Sequence, residues 1–388
     1  MKNKSIWLIN IGEPLPVEGN KPHRMSNWKT LLENDGFNVK FLTTDFEHQR
    51  KKWIFTKPID YILLKSYIGY SSNISIKRLF NHFFISISFL IFLFKNKNKP
   101  DLIIVSYPTM LLSFFSVIYG GFFKVKVIVD VRDKWPDIFE IKPIIKPFLF
   151  FHKIIKSLIF RFSSFIIAVS PGYLSWALTN KKLKGDVIPL SKPQVSMIER
   201  QVDESADINF IFSGSLGDTY NLDIIFQFSK HLLLKNINHN ILICGDGPKM
   251  KTLITKQKKY PNVKLLGWLN NSDLQKQLDK SHFGLMFYNE NSPQGWPNKL
   301  IEYISNGLPI INTLNGESSE LIKKNKLGLN INNSSLNEIS KIIEKLIESP
   351  NEYMKMSQNN YNLFSKGFSE KESYLNLKNI INNELSEI

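Results

Sequence analysis

Residues 5–12 (SIWLINIG) form a nearly unbroken apolar run, the pattern of a strand buried on both faces. A loop with Gly19 and three prolines follows over 13–22, and a helical apolar period runs from Arg24 through Leu32 to a stop near Gly36. Residues 37–46 read as a second strand, completing the opening of a Rossmann-like βαβ unit. Strands are expected next at 61–66, 102–108, 125–133, 164–170 and 186–190, with apolar helices at 77–94 and 110–122 and a basic one at 142–162. Residues 191–207 are polar, carry Pro193 and lack an apolar period, which predicts a linker. The alternation then restarts. Strands fall at 210–214, 240–245, 263–268, 283–288, 309–312 and 327–331, and helices at 221–234, 249–258, 272–280, 297–305 and 317–324. After Ser334 the pattern is helical, with a break at Pro350. Two successive βα arrays predict an α/β protein of two Rossmann-like domains facing across a cleft. The expected division is 1–195, 205–368 and a C-terminal helix over 369–388 that crosses back to the first domain.

The 388 residues suit two domains, and 43% apolar with 22% charged residues provide a globular core. The single cysteine, Cys244, excludes an internal disulfide and fits a reducing compartment. Met1 and its neighbours lead straight into a strand, so no cleavable signal is expected. The net charge of +16 changes the picture most. Residues 1–200 hold 30 Lys and Arg against 14 Asp and Glu, leaving 20 of each in the remainder. The basic residues of the first half flank Phe-rich apolar segments, which favours an anionic lipid surface over nucleic acid. Residues 142–162 fit a basic amphipathic helix on a membrane surface, or a core helix with a solvated basic side. Residues 79–94 hold no charge but are short for a bilayer span and contain Asn81 and His82. They are read as core by default, with entry into the interface as the other reading.

Candidate chemistry centres on 293–309 (PQGWPNKLIEYISNGLP). Pro297 suits a first helical position, Leu300, Ile301 and Ile304 make an apolar stripe, Gly307 offers a left-handed cap and Pro309 prevents continuation. Such a helix presents free N–H groups to an anion, and Glu302 lies four residues beyond Asn298 on the same face. Alone, the stretch fits an ordinary surface helix equally well. Three glycine-bearing turns precede it at strand ends: Gly214, Ser215 and Gly217; Gly245 and Gly247; and Gly267, Trp268 and Leu269. All four loops should lie along one edge of a parallel sheet, where a phosphate can approach closely. Asp133 and Trp135 close a strand of the first half at the corresponding edge. No G-x-G-x-x-G occurs, so a dinucleotide cofactor is not indicated. The spacing of His23, His48 and His82 fits no metal motif, which leaves His48 as a structural residue or a substrate contact.

The chain resembles glycosyltransferase family 4, of the GT-B fold. It is most similar to bacterial enzymes that transfer N-acetylated amino sugars such as N-acetylfucosamine in O-antigen and capsule assembly. The resemblance rests on FSGSLGDTYNLD (212–223), ICGDGP (243–248), VKLLGWL (263–269) and PNKLIEYISNGLPII (297–311). In the first half it rests on the loop with Arg24, TTDFEHQRKK (43–52), NISIKR (73–78), DVRDKWPD (130–137) and AVSPGY (168–173). It implies a retaining, metal-independent transferase without a cofactor, using a UDP-linked sugar as substrate and a lipid-linked saccharide as acceptor. It would work in the cytoplasm, peripheral on the anionic inner leaflet, with no nucleic-acid partner. The donor would bind the second domain, with Glu302 on the ribose and the backbone at Gly295, Asn298 and Lys299 on the diphosphate. Gly267 to Leu269 would border the base, and Gly12 and Arg24 would close over the donor. His48, Asp133 and Trp135 would lie on the acceptor side, Asp133 being the candidate polar contact or base. The first Glu of the family's Glu-x7-Glu motif falls at Gln294, which can hydrogen-bond a sugar but cannot serve as an anionic nucleophile. That departure points to a front-face displacement. It also leaves room for a nucleotide-sugar sensor without turnover, while a nucleotide-sugar 2-epimerase of the same fold is disfavoured by the basic first half.

Overall fold

The computed structural model describes residues 4–15, 23–48, 50–55, 60–72, 75–135, 137, 146–178, 183–200, 202, 207–289, 292–331 and 336–386. In chain order the first array is β1 (Ser5–Ile9), α1 (Arg24–Asn34), β2 (Asn38–Thr44), β3 (Phe46–Glu47), β4 (Lys52–Trp53), β5 (Tyr61–Leu64), α2 (Ile76–Lys95), β6 (Leu102–Tyr107), α3 (Met110–Phe123), β7 (Lys126–Val131), α4 (Lys146–Phe162), β8 (Phe165–Ala168), α5 (Pro171–Ala177) and β9 (Gly185–Val187). The second is β10 (Ile208–Ser213), α6 (Asp223–Leu234), β11 (His239–Cys244), α7 (Met250–Gln257), β12 (Val263–Gly267), α8 (Asn271–Lys280), β13 (Phe283–Met286), α9 (Asn298–Ser305), β14 (Ile310–Asn312), α10 (Glu317–Asn325), β15 (Gly328–Asn330), α11 (Leu336–Glu348) and α12 (Pro350–Gly367), with α13 (Glu370–Ser386) last. Residues 142–145 of the expected 142–162 helix lie outside the described residues, as does most of the 13–22 loop.

Two compact units result: Met1–Pro189 with Tyr374–Ile388, and Leu190–Ser373. The first is built on a seven-stranded sheet in the order β5-β2-β1-β6-β7-β8-β9, with every pairing parallel. Its strands are apolar on both faces because helices cover both: all six residues of β6 are buried. On one face Met25, Trp28 and Leu32 of α1 pack with Tyr374, Leu377 and Ile381 of α13. On the other, Trp7 meets Phe92 of α2 and Tyr119 of α3 at ring separations of 5.1 and 6.1 Å. The pattern-based reading missed only the short antiparallel pair β3–β4. It read 79–94 as a helix packed on the sheet or dipping into the interface, and α2 does pack there along one side. Only one stripe of α2 (Asn81, Ile85, Ser86, Phe89 and Leu93) is buried.

The second unit has a six-stranded parallel sheet in the order β12-β11-β10-β13-β14-β15. The chain winds outward from β10 to β12 and returns to β13, directly beside β10. That reversal puts a topological switch point at the C-terminal ends of β10 and β13, the usual place for a ligand crevice in such a sheet. The turns after β10, β11 and β12 are bonded to one another: Gly214 N–H donates to the Cys244 carbonyl at 2.8 Å and Gly245 N–H to the Gly267 carbonyl at 2.7 Å. This stacking leaves no room at Gly245, where a Cβ would sit 1.8 Å from the Gly214 carbonyl oxygen. Gly217 meets nothing within 4 Å. Gly245→Ala should therefore lower stability by about 1–3 kcal/mol through forced backbone displacement, while Gly217→Ala stays near wild type. Thermal denaturation of both variants checks this; equal melting points would show that the turns are not packed as described.

Candidate functional site

The helix α9 is where the second unit's side chains converge. Pro297 does not occupy the first helical position. It precedes the helix in extended conformation, and its carbonyl opens the ladder by accepting from Leu300 N–H at 3.0 Å. The N–H groups of Asn298 and Lys299 then lie ahead of the first helical hydrogen bonds and point out of the helix start. At the other end Gly307, with φ of 64°, donates to the Ile304 carbonyl, and Leu308 donates to that of Tyr303. This is the double bond pattern that a glycine cap allows. Leu300, Ile301 and Ile304 are buried as their spacing predicts. Tyr303 is buried too, lying on the backbone of Gly284 in β13, where a Cβ would come within 2.4 Å of its ring. Its hydroxyl is 3.2 Å from the carbonyls of Ile211 and Leu285. The helix is thereby seated on the two strands of the switch point.

This seating turns Lys299 and Glu302 toward the end of β10. A cavity of about 430 Å³ opens there. Its wall includes Ser213, Gly214 and Ser215 at the end of β10, Thr219 and Tyr220 of the following loop, Tyr288, and Gln294, Asn298, Lys299 and Glu302. The rings of Tyr220 and Tyr288 lie 4.7 Å apart, tilted by 53°, and their segments form an isolated antiparallel bridge, which ties the loop after β10 to that after β13. Glu302 accepts hydrogen bonds from Lys192 Nζ and Ser213 Oγ. Its side chain is only 13% exposed. Burial pushes the carboxyl up, but Lys192, through charge and hydrogen bond, then Ser213 and Lys299, outweigh this and hold it below the ordinary value. Glu302 is therefore an anion at neutral pH. Lys192 is held in turn by the end of α12: its N–H donates to the Phe368 carbonyl, and its carbonyl accepts from Glu370 N–H at 3.0 Å.

Lys299 is 4% exposed, with Nζ donating to the Ser213 carbonyl and lying 3.7 Å from the Phe212 ring centre and 4.5 Å from that of Tyr220. A Cβ at Gly214 would come within 2.5 Å of that nitrogen, so this glycine makes the lysine's position possible. Burial lowers the Lys299 ammonium to about 7, against the opposing pull of Glu302.

The structure brings together Gly214, Ser215, Gln294, Asn298, Lys299 and Glu302, all of them expected site residues. Gly295 is buried behind them, its carbonyl accepting from Ser318 Oγ at 2.5 Å. Gly217, Gly245, Gly247 and Gly267 shape the neighbouring turns and are not part of the cavity wall, and neither are Trp268, which is 75% exposed, or Leu269, which packs on the core. Lys192 and Ser213, the partners of Glu302, were not anticipated. Lys192 fell in the expected linker, and no spacing signal connects it to a residue 110 positions away.

The remaining expected residues belong to the first unit. Gly12 is exposed, with its N–H on Asn10 Oδ1 at 2.8 Å. Arg24 was expected to reach the donor, but its guanidinium is committed internally. It donates to both carboxylate oxygens of the fully buried Asp130, at 3.1 and 3.2 Å, and to the carbonyls of Ile188 and Pro189. It stacks 4.2 Å over Trp28 and serves as framework. His48 Nδ1 lies 2.5 Å from the Tyr70 hydroxyl, and burial, then Lys51 and Arg78, lower it to about 4, so it is neutral at pH 7. Burial raises the Asp133 carboxyl, with the Lys134 backbone and Arg78 opposing. Trp135 packs its ring 5.3 Å from that of His152.

A two-unit α/β fold with a switch-point cavity holding a carboxylate, a lysine and a helix start is the arrangement of a GT-B glycosyltransferase. Residues 197–363 match the family model described as "Glycosyl transferases group 1" and form such a domain. No curated protein matches the chain significantly. Among solved structures, sucrose-phosphate synthase from Thermosynechococcus elongatus superposes with a TM-score of 0.72 at 14% identity over all of both chains. HepE of Anabaena, in complex with UDP and glucose, does so at 0.66 and 15% identity, again over all of both chains. The lipopolysaccharide outer core galactosyltransferase WaaB gives 0.61 at 14% identity over 98% of this chain and 99% of its own. The fold is that of GT-B enzymes, and the group 1 domain makes the chain a glycosyltransferase.

The depressed ammonium of Lys299 predicts a pH dependence. Its folded value of about 7 lies below the ordinary 10.5. Between the two the unfolded chain binds the extra proton, so stability rises with pH there; below about 7 this group adds no pH dependence, and the full cost of burying its ammonium applies. Thermal melts from pH 6 to 9 should show wild type gaining on Lys299→Met above neutrality, with a limiting slope of about 1.4 kcal/mol per pH unit. Parallel curves for the two proteins would contradict the burial of this amine.

Proposed function

We propose that the chain is a retaining, family 4 glycosyltransferase that moves an N-acetylated amino sugar from a UDP-linked donor to a lipid-linked saccharide. It would serve bacterial O-antigen or capsule assembly on the cytoplasmic face of the plasma membrane. The observation that carries the donor side is the cavity in which anionic Glu302, buried Lys299 and the start of α9 converge. Unused lone pairs of the carboxylate suit ribose hydroxyls, while the N–H groups at Asn298 and Lys299 and the Lys299 amine suit a diphosphate. HepE, of the same fold, was crystallised with UDP and glucose, which supports a UDP-linked donor. WaaB acts on lipopolysaccharide outer core, and the basic first half of this chain, +16 over residues 1–200, suits an acceptor in an anionic membrane.

Gln294 lines the cavity where the family's usual pattern has a carboxylate. Without an anion there, a covalent glycosyl intermediate has no obvious nucleophile. In the proposed step the anomeric carbon–oxygen bond to the diphosphate breaks as the acceptor hydroxyl bonds to the same face, and its proton passes to the leaving diphosphate. Lys299 and the helix start stabilise the departing charge, and positioning does the rest. Asp133, whose carboxyl is raised by burial, is the candidate acceptor-side contact or base.

The test is a screen of UDP-sugars with a polyprenyl-diphosphate-linked saccharide, read by mass spectrometry. Transfer of an N-acetylated amino sugar, with the anomeric configuration retained, is expected. Donor binding without transfer from any sugar would favour a sensor instead. In the same assay Gln294→Ala should cut transfer at least ~10-fold, the scale of one lost sugar hydrogen bond; full activity would remove Gln294 from the sugar's contacts.

A further inference from the structure

The helix α2 is inside out for a protein in water. Its buried stripe includes two polar residues, Asn81 and Ser86. Its outward stripe does not: Leu79, Phe80, Phe83, Ile87, Ile91 and Phe94 are all exposed, Phe80 by 52% and Phe94 by 88%. The steps between these positions are one, three or four residues, so they form one continuous apolar face along a helix of 20 residues, about 30 Å. Water would select polar residues at those places. Buried Asn81 is satisfied by the Ile68 carbonyl and Ser86 by that of His82, so the helix is seated correctly and its exposed face is not a packing error.

The surroundings indicate what covers this face. α3 packs against both α2 and α4, and it ends in Phe122 and Phe123, also exposed. α4 adds exposed Phe150, Phe151 and Ile154. No Asp or Glu occurs in any of the three helices. Lys77 and Lys95 are exposed at the two ends of α2, and Lys153 and Arg161 are exposed on α4. Lys99 lies 4.1 Å over the Phe123 ring, the posture of an amine at an apolar boundary. Apolar side chains rimmed by one sign of charge match a bilayer interface with anionic headgroups, and a span is excluded for α2 as seated because its other stripe packs on the sheet.

We infer that α2, with the end of α3 and the outer side of α4, docks flat on an anionic bilayer. This names the surface for the membrane partner proposed above, and it does not depend on transfer activity. Arg78, in the first turn of α2, is near enough to His48, His82 and Asp133 to perturb all three. Docking would therefore set the expected acceptor-side residues close to the level of the headgroups.

The test is vesicle co-sedimentation of the full chain with phosphatidylcholine alone and with roughly 30% phosphatidylglycerol. Wild type should partition into the anionic vesicles. The triple variant Phe80→Ser, Phe83→Ser, Ile87→Ser should partition at least ~10-fold less, since the lost apolar burial no longer offsets ordering, and its melting point should not fall. Lys77→Glu with Lys95→Glu should lower partition into anionic vesicles only, which keeps the inference testable should the triple variant fold poorly. Partition unchanged in both variants would overturn it. So would a wild-type dimer in vesicle-free sedimentation velocity that the serine variant dissolves, because the face would then join two copies of the chain. Loss of vesicle binding with intact transfer to a short soluble acceptor separates this inference from the catalytic proposal.

Discussion

The second unit depends on keeping one carboxylate charged where water hardly reaches. Isolated burial would neutralise Glu302, and a neutral acid would be a far weaker acceptor for the ribose proposed there. The charge persists because Lys192 and the Ser213 hydroxyl hold its two oxygens. Both partners need the fold to deliver them. Ser213 comes from the last position of the central strand β10, and Lys192 from a segment pinned to the end of α12 through Phe368 and Glu370. Glu302 itself arrives because Tyr303 can lie flat on Gly284, which brings α9 down onto the switch point. Strand order, one glycine, one tyrosine and one distant lysine thus act on a single group.

Lys299 is the complement. It sits one turn earlier, on the rings of Phe212 and Tyr220 and under a glycine that leaves space for its amine. Burial makes it a poor cation when alone, so a diphosphate in the cavity would restore the charge it prefers. A similar economy of buried charge frames the first unit. Arg24 and Asp130 satisfy one another, and Glu13 accepts from the Met25 N–H at the start of α1 while pairing with Arg132 at 2.5 Å. These pairs fix the ends of β1, α1 and β7, from which Gly12 and Asp133 project.

Much of this was legible in the sequence, for physical reasons. Buried parallel strands are apolar throughout, and the helices between them carry a 3.6-residue period, so the two βα arrays could be read directly. Leu300, Ile301, Ile304 and Gly307 predicted both the buried side and the end of α9. What failed depends on three dimensions. Periodicity identifies α2 as a helix that packs on the sheet but is silent on which environment meets its other face. Arg24 stood in a suggestive loop, yet its partners lie more than 100 positions away. Lys192 looked like linker because its role arises only when the chain returns at Phe368. The order β12-β11-β10-β13, which makes Ser213 and Glu302 neighbours, is not written in any local pattern.

The most direct test of the account is a double-mutant cycle on Lys192→Met and Glu302→Gln, read as UDP dissociation constants by calorimetry. If Lys192 acts by holding Glu302 charged and placed, the two losses will not add. The double variant should bind about as weakly as Glu302→Gln alone, with a coupling of at least ~1 kcal/mol. Additive losses, or UDP affinity unaffected by Glu302→Gln, would contradict the claim that this carboxylate organises the site.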